Sequence, residues 1–122
     1  MSQLSPHFHA REFRSRDGAE HPIDSRLIEM LELLRADLGG NPITITSGYR
    51  SPAHNARVGG ARNSYHTRGM AADIRVANKT PQEVYDAATR LFPTAGGIGI
   101  YIRGGGGWVH IDSRPSPARW KG

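Results

Sequence analysis

Two stretches carry residue types that together can do chemistry: Ser64-Tyr65-His66-Thr67-Arg68-Gly69-Met70-Ala71-Ala72-Asp73 and Trp108-Val109-His110-Ile111-Asp112. Between them they supply an imidazole, a carboxylate and a second imidazole. That set suits a catalytic zinc ion, with three protein ligands and a fourth tetrahedral position for water. Water in such a site ionises near neutral pH, which opens a route to amide hydrolysis. The chain has no cysteine, so thiolate ligation is excluded and any transition-metal site must use His and carboxylate. His7, His9 and His21 fall in a polar lead-in and are left there. His54, in Ser51-Pro52-Ala53-His54-Asn55, reads as local structure or support of the site.

The elements that must position these groups follow from periodicity. Residues 1–22 read as an extended lead-in with one helical turn around Ala10 to Phe13, and Phe8 and Phe13 anchor it to the body. Asp24 is a plausible N-cap for a helix to about Leu38, in which Leu27, Ile28, Leu31, Leu34 and Leu38 recur at helical spacing. Gly39-Gly40 ends it. Ile43-Thr44-Ile45-Thr46 alternates as a short strand, and Ser47-Gly48-Tyr49-Arg50-Ser51-Pro52 breaks it. A long segment to Arg68, with a short helix around Ala53 to Val58, leads directly into His66; a long ordered loop in a small domain is usually functional.

Met70 to Val76 predicts a second strand whose period of two puts Ala72, Ile74 and Val76 on one face and Asp73 on the other. Thr80-Pro81-Gln82-Glu83 is a capping box with Pro at the first helical position, opening a helix to about Phe92 that buries Val84, Ala88, Leu91 and Phe92. Gly97 to Ile102 and Trp108 to Asp112 form a hairpin through Gly104-Gly105-Gly106-Gly107. On its second strand Val109 and Ile111 oppose Trp108, His110 and Asp112. The tail from Ser113 to Gly122 reads as irregular. The pattern predicts an α+β domain, an antiparallel sheet with helices packed on one face and Asp73 and His110 on the other. Spacing alone leaves a metal site and an ordinary polar surface both open, because no tight metal-binding signature is present.

Composition sets the outer limits. A chain of 122 residues fits a single domain, 1–122, with one core. A hydrophobic fraction of 37% with 15 Gly and 8 Pro indicates a compact, loop-rich protein. The net charge of +5 favours anionic partners, but Arg11, Arg14, Arg16, Arg57, Arg62 and Arg119 are scattered and form no dense tract. Nucleic acid is therefore ranked last among partners, for want of a basic stripe with interleaved aromatics. Met1 to Ala10 contains no apolar run, so the sequence shows neither a signal peptide nor a membrane span.

The stretch Ser47-Gly48-Tyr49-Arg50-Ser51-Pro52, followed by Ser64-x-His66, Gly69-x-Ala71-x-Asp73 and Val109-His110-Ile111-Asp112, resembles the zinc D-alanyl-D-alanine carboxypeptidase family, more closely its short peptidoglycan-peptidase branch found in phage endolysins and bacterial wall enzymes. The resemblance runs from about Phe8 to Trp120. It implies the Hedgehog/DD-peptidase fold, a Zn2+ cofactor held by His66, Asp73 and His110, and a substrate-contacting, carbonyl-polarising role for Arg50, which suits a permanently charged guanidinium. Ser64 then either orients a ligand or caps the loop.

One departure stands out. Better-known members place a general base two or three residues before the second ligand histidine, where this chain has Trp108 and Gly107. Asp112 is the candidate base; orienting His110 or pairing with Arg114 is the alternative. The resemblance thus implies a zinc peptidase that hydrolyses peptide bonds of peptidoglycan stems or cross-links by attack of zinc-activated water, with Tyr101 and Trp108 lining the groove. Its partners are peptidoglycan peptides, not nucleic acid or membrane, and it acts as a monomer. It reaches the wall by lysis-type release from the cytoplasm, or as a secreted or periplasmic enzyme whose leader has been removed. The rival is a non-catalytic wall-binding or phage structural module that keeps fold and metal, and the missing base is the feature that favours it.

Overall fold

The computed structural model describes residues 2–122; Met1 lies outside the described residues. Strands β1 (Gln3–Ser5) and β2 (Phe8–His9) form a small antiparallel pair, followed by a 3-10 turn at Ala10–Phe13. Helix α1 (Ser25–Asp37), β3 (Ile43–Ser47), α2 (Pro52–Arg57), a second 3-10 turn (Tyr65–Arg68), β4 (Ala71–Val76), α3 (Pro81–Leu91), β5 (Gly97–Arg103), β6 (Gly106–Asp112) and β7 (Ala118–Lys121) complete the chain. The main sheet has the order β3-β4-β6-β5-β7. In that order each of the first four strands runs antiparallel to its neighbour among them. The architecture is α+β, as the periodicity predicts.

The long helices form where the sequence supplies both a cap and an apolar stripe. Asp24 accepts from Arg26 N at the start of α1, which buries Leu27, Ile28, Met30, Leu31 and Leu34. Thr80 and Glu83 close a reciprocal capping box on α3, with Pro81 in its first turn and Val84, Ala87 and Ala88 buried. Both stripes join one core cluster with Ala72, Ile74, Val76, Ile98, Val109 and Ile111 from the sheet, and Phe8 and Phe13 anchor the lead-in to it. Leu91 and Phe92, expected inside, pack half-buried at its edge.

The tail corrects the sequence reading. Ala118–Lys121 is a strand, β7, parallel to β5, so the sheet is mixed. Four residues are too few to show a period. What fixes them is long-range: β5 would otherwise be an open edge, and the tail satisfies it, with Arg119 Nη1 donating to Gly96 O and Ala118 O and its Nη2 to Phe92 O. The hairpin turn is also tighter than the glycine run suggests. Arg103 pairs with Gly106, leaving only Gly104 and Gly105 to turn.

A polar clamp fixes the chain where it leaves β3. Ser51 caps α2 by accepting from His54 N, and its hydroxyl donates to the carboxylate of Asp17. Ser51 N in turn donates to Ser15 Oγ, at 3.2 Å. These hydroxyls hold the Asp17 carboxyl down at about 2, with hydrogen bonding from Ser51 the largest cause and from Ser15 the next. A depressed carboxyl stabilises the fold above its unfolded value of about 3.9, and that stabilisation is lost as pH falls through about 2. Asp17→Asn is therefore expected to lower the melting temperature at pH 7 and to flatten the acid limb of its pH profile between about pH 4 and pH 2, so that variant and wild type converge at low pH. An unchanged acid limb would show that the clamp does not couple to folding.

Candidate metal centre

Residues of the open sheet face line up across all five main strands. Ser47 pairs with Asp73, Asp73 with His110, His110 with Gly99 and Gly99 with Trp120. Period-two alternation keeps this row off the core face, and cross-strand register makes Asp73 and His110 direct neighbours. Gly99 is needed in the row because a Cβ there would lie 2.2 Å from the Trp120 indole nitrogen. The missing side chain lets Trp120 lie across β5 with its ring 5.0 Å from that of His110.

His66 arrives from the loop. Ser64 caps the 3-10 turn by accepting from His66 N at 3.2 Å, and so takes the capping role of the two left open for it. Arg50 N donates to His66 O, tying the turn to the end of β3. His66 Nδ1 lies 2.8 Å from Gly48 O. A carbonyl oxygen only accepts, so Nδ1 carries the hydrogen and Nε2 presents a lone pair. Gly48 meets its own constraint: a Cβ there would fall 2.6 Å from Phe13 Cα.

The same logic fixes His110. Its Nε2 lies 2.7 Å from Asp112 Oδ2, which can only accept, so Nε2 carries the hydrogen and Nδ1 is the free nitrogen. His66 Nε2 and His110 Nδ1 then face one oxygen, Asp73 Oδ1, at 3.3 and 3.2 Å. One ligand atom from each of the three residues lies within 4.8 Å of the other two. Two lone pairs and a carboxylate converging in a buried spot repel one another unless a cation sits among them. This donor set fits a divalent metal of the zinc class.

The electrostatics agree. Burial, the largest influence on Asp73, works to raise its pKa, yet the hydrogen bonds and positive charge that His110 and His66 supply when protonated outweigh it and hold the carboxyl below the ordinary range. Burial likewise works to lower His110, and hydrogen bonds to Asp112 and then Asp73 outweigh it, so its pKa is raised. The carboxylates thus draw positive charge to His110, a proton or a metal competing for the same place.

Asp112, expected as the base, lies behind this cluster. It is 0% exposed and does not line the cleft. Oδ1 accepts from Gly97 N at 2.9 Å, Arg114 N at 3.1 Å and Arg114 Nε at 2.9 Å. Oδ2 accepts from Arg114 Nη2 and from His110, both at 2.7 Å. Both parts of the alternative weighed for it, orienting His110 and pairing with Arg114, are present in the geometry.

Arg50 is half-buried and lines the cleft, where Nη2 approaches Asp73 Oδ2 at 3.4 Å. Its Nε donates to Ser47 Oγ and its Nη1 to Asn55 Oδ1. Holding Oδ2 leaves Oδ1 as the oxygen directed at the histidines. The cleft, about 460 Å3, opens over the three candidate ligands. Tyr101 and Trp108 form one wall as a cross-strand pair stacked at 4.8 Å and 5°. His7, His9, His21 and His54 stay outside the cleft. Sequence reasoning missed Trp120 and Asn55 in this architecture. Glycines at alternate positions 97 and 99 of a strand were the available signal that something packs closely there.

The family model described as peptidase M15 matches residues 4–112. The chain belongs to the peptidase M15 family. The peptidoglycan L,D-endopeptidase MepK of Escherichia coli K12 is 36% identical over 100 residues, covering 77% of this chain and 53% of the relative. The probable peptidoglycan L,D-endopeptidase MepK of Haemophilus influenzae is 32% identical over 114 residues, 88% of this chain and 59% of the relative. The zinc D-Ala-D-Ala carboxypeptidase of Streptomyces albus G is 48% identical over 44 residues, 36% of this chain and 17% of the relative. The chain spans about half the length of the curated MepK relatives it matches. No helix among the described residues is long and apolar enough to cross a membrane.

Proposed function

We propose that this M15 chain is a zinc metallopeptidase acting on peptidoglycan peptides in the cell wall, with His66, Asp73 and His110 as ligands and residues 1–122 as one catalytic domain. The observation that carries it is the convergence of His66 Nε2, His110 Nδ1 and Asp73 Oδ1 on one point at the base of an open cleft. A zinc ion held there would acidify a coordinated water and polarise a peptide carbonyl. Gly48 O and Asp112 keep the two imidazoles in the tautomers whose free nitrogens face that point. Arg50, permanently charged and fixed by Ser47 and Asn55, stands beside it and stabilises negative charge developing on the carbonyl oxygen. Likeness to endopeptidases extends over 77–88% of the chain, against 36% for the carboxypeptidase, which favours an internal bond over a terminal one.

A second reading rests on one observation. Among the described residues lining the cleft, Asp73 is the sole carboxylate, so no acidic side chain stands ready as a separate base. A wall-binding module that retains the metal but not turnover would look this way. One experiment separates the two: purified peptidoglycan is treated with wild type, with chelated protein restored by zinc, and with His110→Ala, and the products are weighed by mass spectrometry. Peptidase action gives new stem or cross-link fragments that depend on zinc and on His110, and their masses name the bond. Zinc binding with unchanged muropeptides over long incubation assigns the binding module instead.

A further inference from the structure

The cleft holds a second cation that the proposed chemistry leaves unused. Arg114 lines it beside His110, with a quarter of its side chain exposed. Nε and Nη2 are committed to Asp112. Nη1 has no hydrogen-bond partner among the described residues, while the other permanently charged side chains lining the cleft, Arg50 and Asp73, face each other. We propose that Arg114 binds a free carboxylate of the peptide in the cleft, next to the bond to be cut; this rests on the peptidase reading above.

Two observations support it. The guanidinium is held rigid before any ligand arrives: Asp112 grips one edge, and its carbon lies 4.6 Å from the Tyr65 ring centre and 5.3 Å from that of Trp120. A donor already fixed in place loses little freedom on binding. Its location is also set, since Arg114 and His110 donate to the same oxygen, Asp112 Oδ2, and both lie against Trp120. The carboxylate it takes is therefore a close neighbour of the scissile carbonyl. The charge balance permits it: Arg50 offsets Asp73 and Arg114 offsets Asp112, so no surplus negative charge at this end opposes an anion. A guanidinium shared by two carboxylates remains a strong donor, because its N–H groups point along separate directions.

The carboxylate is either the C-terminal one or that on the side chain of an acidic residue flanking the bond. Three synthetic stem peptides distinguish them: one with both acids free, one amidated at the C-terminus and one amidated on the side chain. Each is offered to zinc-loaded wild type, Arg114→Gln and Arg114→Lys, with binding read from tryptophan fluorescence, hydrolysis as kcat/KM, and zinc content and melting temperature alongside. Wild type is expected to bind one of the amides about tenfold more weakly than the free acid, the size of one charge-assisted hydrogen bond, and the affected amide names the source. Arg114→Gln is expected to treat all three alike. Should it fail to fold beside an unpaired Asp112, Arg114→Lys keeps the charge, loses the planar fork, and is expected to show reduced discrimination.

Equal binding of all three peptides by wild type, or an equal loss on all three in a folded variant, overturns the proposal and leaves Arg114 as the anchor of Asp112. Discrimination in binding without hydrolysis sustains the carboxylate site and removes the peptidase reading. Hydrolysis without discrimination does the reverse.

Discussion

Zinc is expected to raise the melting temperature of the wild-type chain by roughly 10 °C at a hundredfold excess over its dissociation constant, and to leave Asp73→Asn almost unmoved. The shift follows from linkage, since a ligand at that excess that binds only the folded state adds about 2.7 kcal/mol. Asp73 is the residue to change because its Oδ1 faces both candidate ligand nitrogens and its Oδ2 faces Arg50. An asparagine keeps the shape and removes the charge that makes the spot attractive to a cation. With its oxygen toward Arg50, its N–H2 donates to the lone pairs of His66 Nε2 and His110 Nδ1 and occupies the nitrogens a metal needs; reversed, the N–H2 opposes the donors of Arg50. Hydrolysis of muropeptides should fall by more than about 100-fold, the upper end for loss of a group that merely supports a ligand. The checks are zinc per chain by elemental analysis and melting curves with and without zinc. A variant that retains one zinc per chain and the full thermal shift would remove Asp73 from the ligand set.

The residues differ in how far their sequence context announces them. Helices 25–37 and 81–91 are evident because caps and apolar stripes act within a few residues of one another. The face of Asp73 is equally evident, since alternation with Ala72 and Ile74 fixes it locally. That Asp73 lies opposite His110 is not local: it depends on the pairing of β4 with β6, residues 37 apart in the chain. Motif resemblance supplied that link where spacing could not. Strand β7 and the Trp120 side chain had no local signal of their own. Four residues show no period, and their place is decided by the edge of β5 and by the gap at Gly99, features that exist only once the sheet has formed. The role of Asp112 is of the same kind. Sequence puts it on the face of His110, and only the fold shows Gly97 and Arg114 closing around it.

Asp112→Asn is expected to weaken zinc affinity by about 10- to 100-fold, through the tautomer of His110 and not through a lost base. Both carboxylate oxygens of Asp112 receive N–H donors: Gly97 N, Arg114 N and Nε on Oδ1, His110 Nε2 and Arg114 Nη2 on Oδ2. An amide has one oxygen to offer. With its oxygen in the Oδ1 position, its N–H2 confronts His110 Nε2. The imidazole relieves that clash by moving its hydrogen to Nδ1, the nitrogen that faces Asp73 and the metal position. A ring protonated there cannot ligate until the proton is displaced. With the amide reversed, the N–H2 confronts the Gly97 and Arg114 backbone donors and Arg114 Nε. Either way Arg114 also loses its counter-charge, and breaking a buried ion pair costs about 3–5 kcal/mol, so a lowered melting temperature accompanies the change. The comparison that decides is zinc affinity, by chelator competition, against kcat at saturating zinc. Weakened zinc with kcat largely restored at high zinc assigns Asp112 to holding His110. Undiminished affinity with kcat lost would instead make Asp112 the base, acting from a position with no exposed surface in the structure.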